Sequence, residues 1–197
     1  MSFFAKCVAL FIFILLMPLF ILVSILSLIF QGNPIFFKQE RVGKNFSIFT
    51  LYKFRTMSNN TENDQISLVN KNKVTAWGKI LRKTKIDELP QLLNIIIGDM
   101  RFIGPRPEIP FYVNKNKFDF LKSIHPGLSD YSSILFRNEE KVLNKIKSTS
   151  PYETILPLKI SLAQYYCNKK GFWQDLMLVF LTIGSIISPK LINDKFL

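Results

Sequence analysis

The chain has 197 residues, which is enough for one compact domain with its own core and too few for two full domains. Its net charge of +12 and pI near 9.7 favour partners that carry phosphate: nucleic acid, anionic lipid or a nucleotide. The two cysteines, Cys7 and Cys167, lie far apart, which argues against a disulfide framework or a CxxC metal site and fits a reducing, cytosolic environment.

The first predicted element is an apolar helix. Residues 8–30 carry no charge and, at about 23 residues, suffice to cross a hydrocarbon layer of roughly 30 Å. A signal peptide is the competing interpretation, but its apolar core usually has only about 7 to 15 residues. Pro18 should kink the helix, because proline removes a helical hydrogen bond. The kink allows a bent span or a re-entrant hairpin, and the heavier basic flank after the run places the main domain in the cytosol.

The soluble part begins after a turn-forming cluster at residues 31–34. Short strands are predicted at 35–37 and 46–54, and a glycine between them indicates a β-hairpin. Side chains alternate along a strand, so Lys53 and Arg55 should share a face, either as a seat for phosphate or as an exposed basic edge. A polar loop is predicted next, followed by a short helix at 74–83.

An acid pair, Asp87 and Glu88, marks the start of the next predicted helix, which runs to Ile97. Asp87 is expected to cap this helix, with Pro90 in the first turn, where its missing N–H is harmless. That end of a helix keeps a carboxylate ionised and attracts phosphate. The alternative is that Asp87 only caps the helix and Glu88 only complements its dipole. Adjacent residues point in different directions, so we expect the two carboxylates to have separate tasks.

Further along, two prolines fix the backbone on both sides of Arg106. This lowers the entropic cost of holding a planar, bidentate donor toward phosphate, although a plain turn is the alternative. Two helices are predicted near the C-terminus, at 152–168 and 172–187. The apolar run at 176–187 is too short to span a bilayer comfortably and should lie in the membrane interface or in a buried core.

Several motifs follow one another in a fixed order: GNPIFFKQERVGKNFSIFTLYKFRTM, the segment from Trp77-Gly78 to Leu81-Arg82, DELPQLLNIIIGDM, GPRP and HPGL. Together they resemble the bacterial sugar transferase family of monotopic polyprenyl-phosphate phosphoglycosyl transferases, over almost the whole chain. The resemblance implies transfer of a sugar 1-phosphate from a UDP-sugar to polyprenyl phosphate, such as undecaprenyl phosphate, with release of UMP. This would be the first membrane step of surface glycan synthesis, with glycosyltransferases acting downstream.

The resemblance also implies roles for single residues. Asp87 matches the nucleophile that forms a covalent phosphosugar intermediate, and Glu88 matches its acidic partner, with Mg²⁺ assisting at the two carboxylates. Arg82 matches the residue associated with the lipid phosphate, and Arg106 matches the arginine of the proline-framed phosphate loop. Pro18 matches the breaker of a re-entrant membrane helix.

These implied roles agree with the physical chemistry of the residues. A carboxylate needs no strong base, but it must approach an anionic diphosphate, so nearby cations are required. The predicted cations are Lys53, Arg55, Arg82 and Arg106. The chain departs from the family pattern at Ser129-Asp130, near the segment that shapes the nucleotide and sugar pocket. Asp130 and Arg137 are therefore candidate pocket residues.

The predicted fold class is mixed α/β and mostly helical. Residues 1–31 should form the membrane-embedded re-entrant helix, and residues 32–197 a small membrane-associated catalytic domain with a short β-hairpin and interfacial helices, facing the cytosol at the bacterial inner membrane. The competing function is a non-catalytic, membrane-anchored basic protein that binds anionic lipid or nucleic acid. No recognised nucleic-acid motif supports it. The identity of the sugar, the glycan pathway and any homo-oligomer are left open.

Overall fold

The computed structural model describes residues 3–58, 74–137 and 139–187. It is mixed α/β and mostly helical, as predicted. Most of the predicted polar loop, at 59–73, lies outside the described residues. The chain divides into two compact units, residues 1–40 with 49–99 and residues 41–48 with 100–197. The predicted boundary after residue 31 stays a prediction.

The first unit begins with two apolar helices, α1 (Phe3–Leu15) and α2 (Met17–Gln31), which meet at an angle of 59°. The break falls at Leu16, two residues before Pro18, because Pro18 has no N–H to donate to the preceding turn. Among the described residues no single helix is long and apolar enough to cross a membrane. The two helices of the bent pair, taken together, are long and apolar enough. The predicted kink is confirmed.

A β-hairpin follows, made of β1 (Phe36–Val42) and β2 (Ile48–Phe54), and its turn at residues 41–48 is counted with the second unit. The hairpin was predicted, but its strands have other bounds. β2 begins two residues late because Asn45 and Phe46 have positive φ angles of 54° and 59°, which no paired strand residue adopts. β1 is longer than predicted, since its central residues are charged or polar and hide the strand pattern.

The rest of the first unit consists of α3 (Ala76–Thr84), a 3₁₀ turn (Ile86–Glu88) and α4 (Gln91–Ile97). The short helix predicted at 74–83 is confirmed as α3. Gly78 lies so close to β2's end that a Cβ there would come within 2.1 Å of the Thr56 carbonyl oxygen, which requires glycine. The core packs α2, β2 and α3 together through Val23, Phe54 and Leu81.

The second unit contains a parallel strand pair, β3 (Arg101–Ile103) and β4 (Gly127–Ser129). Its described helices are α5 (Tyr131–Leu135), α6 (Glu139–Leu143), α7 (Pro151–Lys169) and α8 (Phe172–Ile187). The two predicted C-terminal helices are confirmed as α7 and α8. One core cluster of this unit is built from Ile103, Ile124, Ile134, Tyr166 and Leu178, and a second from Val42, Phe118, Leu121 and Ile160.

Helix α8 has one buried and one exposed apolar side. Leu178 is fully buried, whereas Phe172, Trp173 and Phe180 are exposed. Exposed aromatic residues of this kind fit a membrane interface, and the buried side fits a core. The core environment is therefore confirmed for the face that carries Leu178, and the membrane interface stays a prediction for the exposed face.

Candidate active site

The acid pair lies in the tight turn between α3 and α4. Helix α3 ends at Lys85, whose positive φ of 59° redirects the chain, and Ile86–Glu88 form one 3₁₀ turn. The prediction that Asp87 caps the next helix is wrong, because α4 begins later, with Pro90 at its N-cap position. An Asp87 cap would need the N–H of residue 89 or 90. Leu89 donates its N–H to the Ile86 carbonyl, and Pro90 has none.

Asp87 is a buried carboxylate, only 7% exposed. Its Oδ1 is buried and has no hydrogen-bond partner among the described residues. Burial raises the pKa of Asp87 above its ordinary value, while the positive charge of Lys53 opposes that rise. A polar atom that is buried without a hydrogen bond costs free energy. Ligand binding is one explanation for such an atom.

Glu88 has different surroundings from Asp87. Its Oε1 lies 3.1 Å from the Lys53 Nζ and 3.7 Å from the Lys85 Nζ. The structure therefore brings the predicted residues Lys53 and Glu88 together. One carboxylate is paired with lysines and the other is buried with an open oxygen, which agrees with the expectation of separate tasks.

A buried amide ties the strand that carries Lys53 to the helix that follows the acid pair. Asn94, in α4, is fully buried and donates from Nδ2 to the Thr50 carbonyl at 2.7 Å. Its Oδ1 accepts the N–H of Tyr52 at 3.2 Å. Asn94 therefore fixes β2 against α4. Sequence reasoning missed this residue, although an amide inside the apolar run QLLNIII is a recognisable signal.

Arg82 and Arg55 also belong to the first unit. Arg82 donates from Nε to the Thr56 hydroxyl at 2.9 Å, and its charge acts on Asp87. Arg55 is buried and donates to the carbonyl oxygens of Gln31 and Gly32 at the end of α2, where a cation complements the helix dipole. Lys53 and Arg55 are thus engaged separately. A contact of Arg55 with substrate stays a prediction.

The other predicted site residues lie in the second unit. The backbone N–H of Arg106 donates to Asp130 Oδ2 at 3.2 Å. Asp130 also caps α5 by accepting the Ser133 N–H at 2.7 Å, and Arg137 donates to the Ser185 hydroxyl at 3.1 Å. The structure joins Arg106 to Asp130. Contacts of these three residues with substrate stay predictions.

Comparison with known proteins decides the family. Residues 2–189 match the family model described as bacterial sugar transferase. The chain belongs to this family. The match of this sugar transferase covers both units, and it confirms the resemblance seen in the motifs.

Three named relatives illustrate the family. The chain is 32% identical over 184 residues to the UDP-N-acetylgalactosamine-undecaprenyl-phosphate N-acetylgalactosaminephosphotransferase of Aeromonas hydrophila, covering 87% of this sugar transferase and 40% of the relative. It is 33% identical to the exopolysaccharide production protein ExoY of Sinorhizobium fredii, covering 88% and 79%. It is 28% identical to the UDP-glucose:undecaprenyl-phosphate glucose-1-phosphate transferase of Klebsiella pneumoniae, covering 87% and 37%.

The matched lengths differ among these relatives. This sugar transferase spans less than half of the Aeromonas and Klebsiella proteins and most of the Sinorhizobium protein. The family match at residues 2–189 contains both the acid pair and the Pro-Arg-Pro loop.

Proposed function

We propose that this sugar transferase moves a sugar 1-phosphate from a UDP-sugar to undecaprenyl phosphate through a covalent intermediate on Asp87. The observation that carries the proposal is the buried carboxylate with an open Oδ1, close to the charges of Lys53, Lys85 and Arg82. The relatives' names supply the class of donor and acceptor. UMP leaves, and the lipid-linked product starts the synthesis of a surface glycan.

Two displacements at one phosphorus account for the reaction. In the first, Asp87 attacks the phosphorus attached to the sugar, the bond to the UMP oxygen breaks, and an acyl phosphate forms. In the second, a phosphate oxygen of undecaprenyl phosphate attacks the same phosphorus, and the Asp87 carboxylate leaves. No general base is required at Asp87 when its carboxylate is ionised. Lys53, Lys85 and Arg82 reduce the repulsion between this carboxylate and the diphosphate.

The acid pair fits Mg²⁺ that is bound together with substrate. No group of three or more metal-ligating side chains occurs in the described ranges. Mg²⁺ commonly binds one or two carboxylates and takes its other ligands from water and substrate phosphates. Asp87, with its open oxygen, and Glu88 would hold the ion. It would supply positive charge to the diphosphate.

Both ends of the bent helix pair contact the soluble part of the first unit. Lys6, near the start of α1, donates to the Ile97 carbonyl at the end of α4 at 2.9 Å. Gln31, at the end of α2, donates to the Arg55 carbonyl at 2.9 Å. A straight helix of this length would extend about 40 Å, beyond a hydrocarbon layer of roughly 30 Å, and its ends would lie on opposite sides.

These contacts support a re-entrant helix pair, with both ends on the cytosolic face of the bacterial inner membrane. α4 directly follows the turn that carries Asp87, and α1 packs along α4. Asp87 would then act at the membrane surface. The phosphate of a polyprenyl lipid is reachable there while its tail stays in the bilayer.

The proposal is tested by incubating the purified protein with Mg²⁺ and a panel of UDP-sugars before any lipid acceptor is added. We expect UMP release and a mass increase of one sugar phosphate on the peptide that contains Asp87. Asp87→Asn should abolish both signals. Asp119→Asn, which changes an exposed aspartate paired with Lys122, is the matched control and should retain them. An unmodified wild-type protein across a broad donor panel would contradict the proposal.

A further inference from the structure

The Pro-Arg-Pro loop is held by the protein at every residue. Residues 103–109 are buried except for Arg106, whose side chain is partly exposed. Three backbone–backbone hydrogen bonds hold the loop: Gly104 N–H to Ser129 O at 3.1 Å, Gly127 N–H to Pro105 O at 2.9 Å, and Val42 N–H to Glu108 O at 2.9 Å. Two side chains also bond its backbone: Asp130 Oδ2 accepts the Arg106 N–H at 3.2 Å, and Arg41 Nη1 donates to Pro107 O at 2.9 Å. The loop therefore presents one side chain from a fixed backbone.

The last residue of the loop, Glu108, is the centre of a buried charge network. Its side chain is 5% exposed. The Tyr152 hydroxyl donates to Glu108 Oε2 at 2.6 Å, and the Lys159 Nζ lies 3.2 Å from Oε1. Lys159 also donates to the Tyr152 hydroxyl at 2.8 Å and pairs with Glu139 at 2.9 Å. Tyr152 and Lys159 both lie on α7, two helical turns apart, and so face the same side.

Stability alone is a weak explanation for such a network. Removing charged groups from water is costly, and well-packed apolar residues often replace a buried ion pair without loss of stability. A network of this kind does fix geometry, because each member has directional partners. Glu108 is separated from Arg106 only by Pro107, whose ring restricts φ. A shift of Glu108 would therefore move the backbone of Arg106.

The space between the loop and α7 is too small for a substrate. A cavity of about 10 Å³ there is lined in part by Arg106, Glu108 and Lys159, and it has room for one water molecule. At this place the side chains of α7 meet the loop rather than a space for a nucleotide sugar. The route from α7 toward the reaction that the contacts show runs through Glu108.

We propose that Tyr152 and Lys159 are positioning residues, which act through Glu108 to hold the Arg106 guanidinium in the orientation that binds the donor's phosphate. The inference rests on the proposed function, since it requires that Arg106 contacts the donor. It adds that Tyr152 and Lys159 of α7, which do not touch the substrate, determine how tightly Arg106 binds the donor.

The test is a double-mutant cycle on the purified full-length protein, with UMP release measured as a function of UDP-sugar concentration. Tyr152→Phe removes one hydroxyl and leaves the Lys159–Glu108 pair in place. We expect it to lower kcat/KM for the donor about tenfold, mainly by raising KM, because a misplaced binding group weakens binding. Arg106→Ala should have a larger effect. In the Arg106→Ala background, Tyr152→Phe should change nothing further.

Tyr165→Phe is the matched control. Tyr165 lies on the same helix, and its hydroxyl accepts a lysine amine, that of Lys169, at 3.1 Å, as the Tyr152 hydroxyl accepts that of Lys159. Its loss should leave the donor KM within about twofold of wild type, because this pair is exposed and does not include Glu108. Lys159→Arg is a second variant, which keeps the charge beside Glu108 and should retain a near-normal KM, whereas Lys159→Met should raise it. Thermal unfolding of every variant separates these effects from loss of the fold.

The outcomes distinguish the two proposals. Equal effects of Tyr152→Phe in the wild-type and Arg106→Ala backgrounds would overturn the positioning role and leave the proposed function intact. An Arg106→Ala variant with normal kinetics, beside an inactive Asp87→Asn variant, would also overturn it without affecting the covalent mechanism. A wild-type protein that forms no adduct with any donor would instead refute the proposed function.

Discussion

Asp87 and Glu88 are neighbours in the chain, but they have different electrostatic surroundings. Glu88 is paired with two lysines, whereas Asp87 is buried with one oxygen that no described group bonds. Adjacent residues of a 3₁₀ turn diverge by about a third of a turn, so one side chain reaches the lysines while the other turns inward. Two acidic neighbours thus acquire distinct chemistry from the turn that carries them.

The buried charge of Asp87 should reduce the stability of the folded protein. Burial raises the pKa of Asp87 in the folded state, so the folded chain holds this proton more tightly than the unfolded chain. The resulting loss of folding stability is complete above the pKa that Asp87 has in the folded state, and it disappears as the pH falls to the ordinary value near 3.8. We therefore expect Asp87→Asn to be inactive and yet to have a higher Tm than wild type near pH 7.

This difference in Tm should shrink as the pH falls toward the ordinary value near 3.8, because wild-type Asp87 is then protonated in the folded state. Thermal unfolding of both proteins over a pH series measures it. Asp119→Asn serves as the control for the loss of one exposed carboxylate. A Tm of Asp87→Asn below that of wild type at neutral pH would show that the lysines outweigh the burial.

Lys85 occupies a backbone conformation that favours glycine. Its φ is 59°, a region that costs a residue with a Cβ roughly 1 kcal/mol. Lys85→Gly and Lys85→Ala both remove the same cation, so the difference between them isolates the backbone. We expect the glycine variant to be more stable than the alanine variant by about 1 kcal/mol, measured by thermal or denaturant unfolding.

At Lys83, two residues earlier, we expect alanine to be more favourable than glycine. It is exposed and lies inside α3, where glycine is about 1 kcal/mol less favourable than alanine. Lys83→Gly should therefore be less stable than Lys83→Ala. The same order of stabilities at both positions would contradict the strained backbone at Lys85.

At the level of elements, the attachment of β2 to α4 depends on one amide. Asn94 satisfies a backbone carbonyl and a backbone N–H of β2 on the side where none of the described strands pairs with it. Asn94→Ala leaves both groups unbonded and creates a small cavity, so it should cost about 2 to 3 kcal/mol of unfolding free energy. Adduct formation should also slow, because β2 carries Lys53. Asn116→Ala, an exposed control, should change stability by less than about 0.5 kcal/mol.

The bend between α1 and α2 is attributed to Pro18. Pro18→Leu restores a backbone donor, so α1 and α2 should join into a straighter helix that crosses the bilayer in part of the population. A cysteine introduced at residue 2, with Cys7 and Cys167 replaced by serine, reports the side of the N-terminus by labelling in intact cells. We expect cytosolic labelling when Pro18 is present and a rise of external labelling in the Pro18→Leu variant.

Leu19→Ala is the control for this experiment, since it alters the neighbouring residue without adding a backbone donor. Its labelling pattern should remain cytosolic. External labelling of the protein with its natural Pro18 would contradict the re-entrant topology. Identical cytosolic labelling with and without the Pro18→Leu substitution would show that contacts such as Lys6 to Ile97, rather than the proline, enforce the bend.

At the scale of the whole molecule, the sequence predicted the elements that carry a local signal. The apolar helix pair, the hairpin around Gly43 and the helices α7 and α8 all follow from hydrophobic period, proline and glycine. The bounds of β2 were wrong because left-handed backbone at Asn45 and Phe46 is set by the turn and not by residue type. Asn favours this conformation, whereas Phe gives no such indication.

The candidate site was predictable in its residues and less so in its geometry. The acid pair and the Pro-Arg-Pro loop stand out as motifs. The sequence holds half of the reason why Asp87 is not a cap: Pro90 lacks one of the two N–H groups that such a cap could use, but the other, of Leu89, is taken by the Ile86 carbonyl only in the folded turn. The contacts of Glu108 with Tyr152 and Lys159 join residues more than 40 positions apart, and no local pattern encodes such a pairing.

The net charge of +12 leads to a prediction for the complete protein in a membrane. Donor and acceptor are both phosphate-bearing anions, so a basic protein should attract them over distances comparable with the Debye length, which falls from about 10 Å at 0.1 M salt to about 3 Å at 1 M. Raising NaCl from about 0.05 to 0.5 M, at constant Mg²⁺, should lower kcat/KM for the UDP-sugar severalfold. Most of this change should be in KM, because groups already in contact are screened less.

The control for this salt series is an osmotically equal concentration of sucrose, which adds solute without screening charge and should leave kcat/KM nearly unchanged apart from viscosity. The Arg106→Ala variant offers a second comparison within the chain. If its guanidinium is one of the cations that meet the donor, removing it should make the salt dependence weaker than that of wild type. A kcat/KM that does not vary with salt would mean that the positive charge serves the anionic membrane surface rather than the capture of the donor.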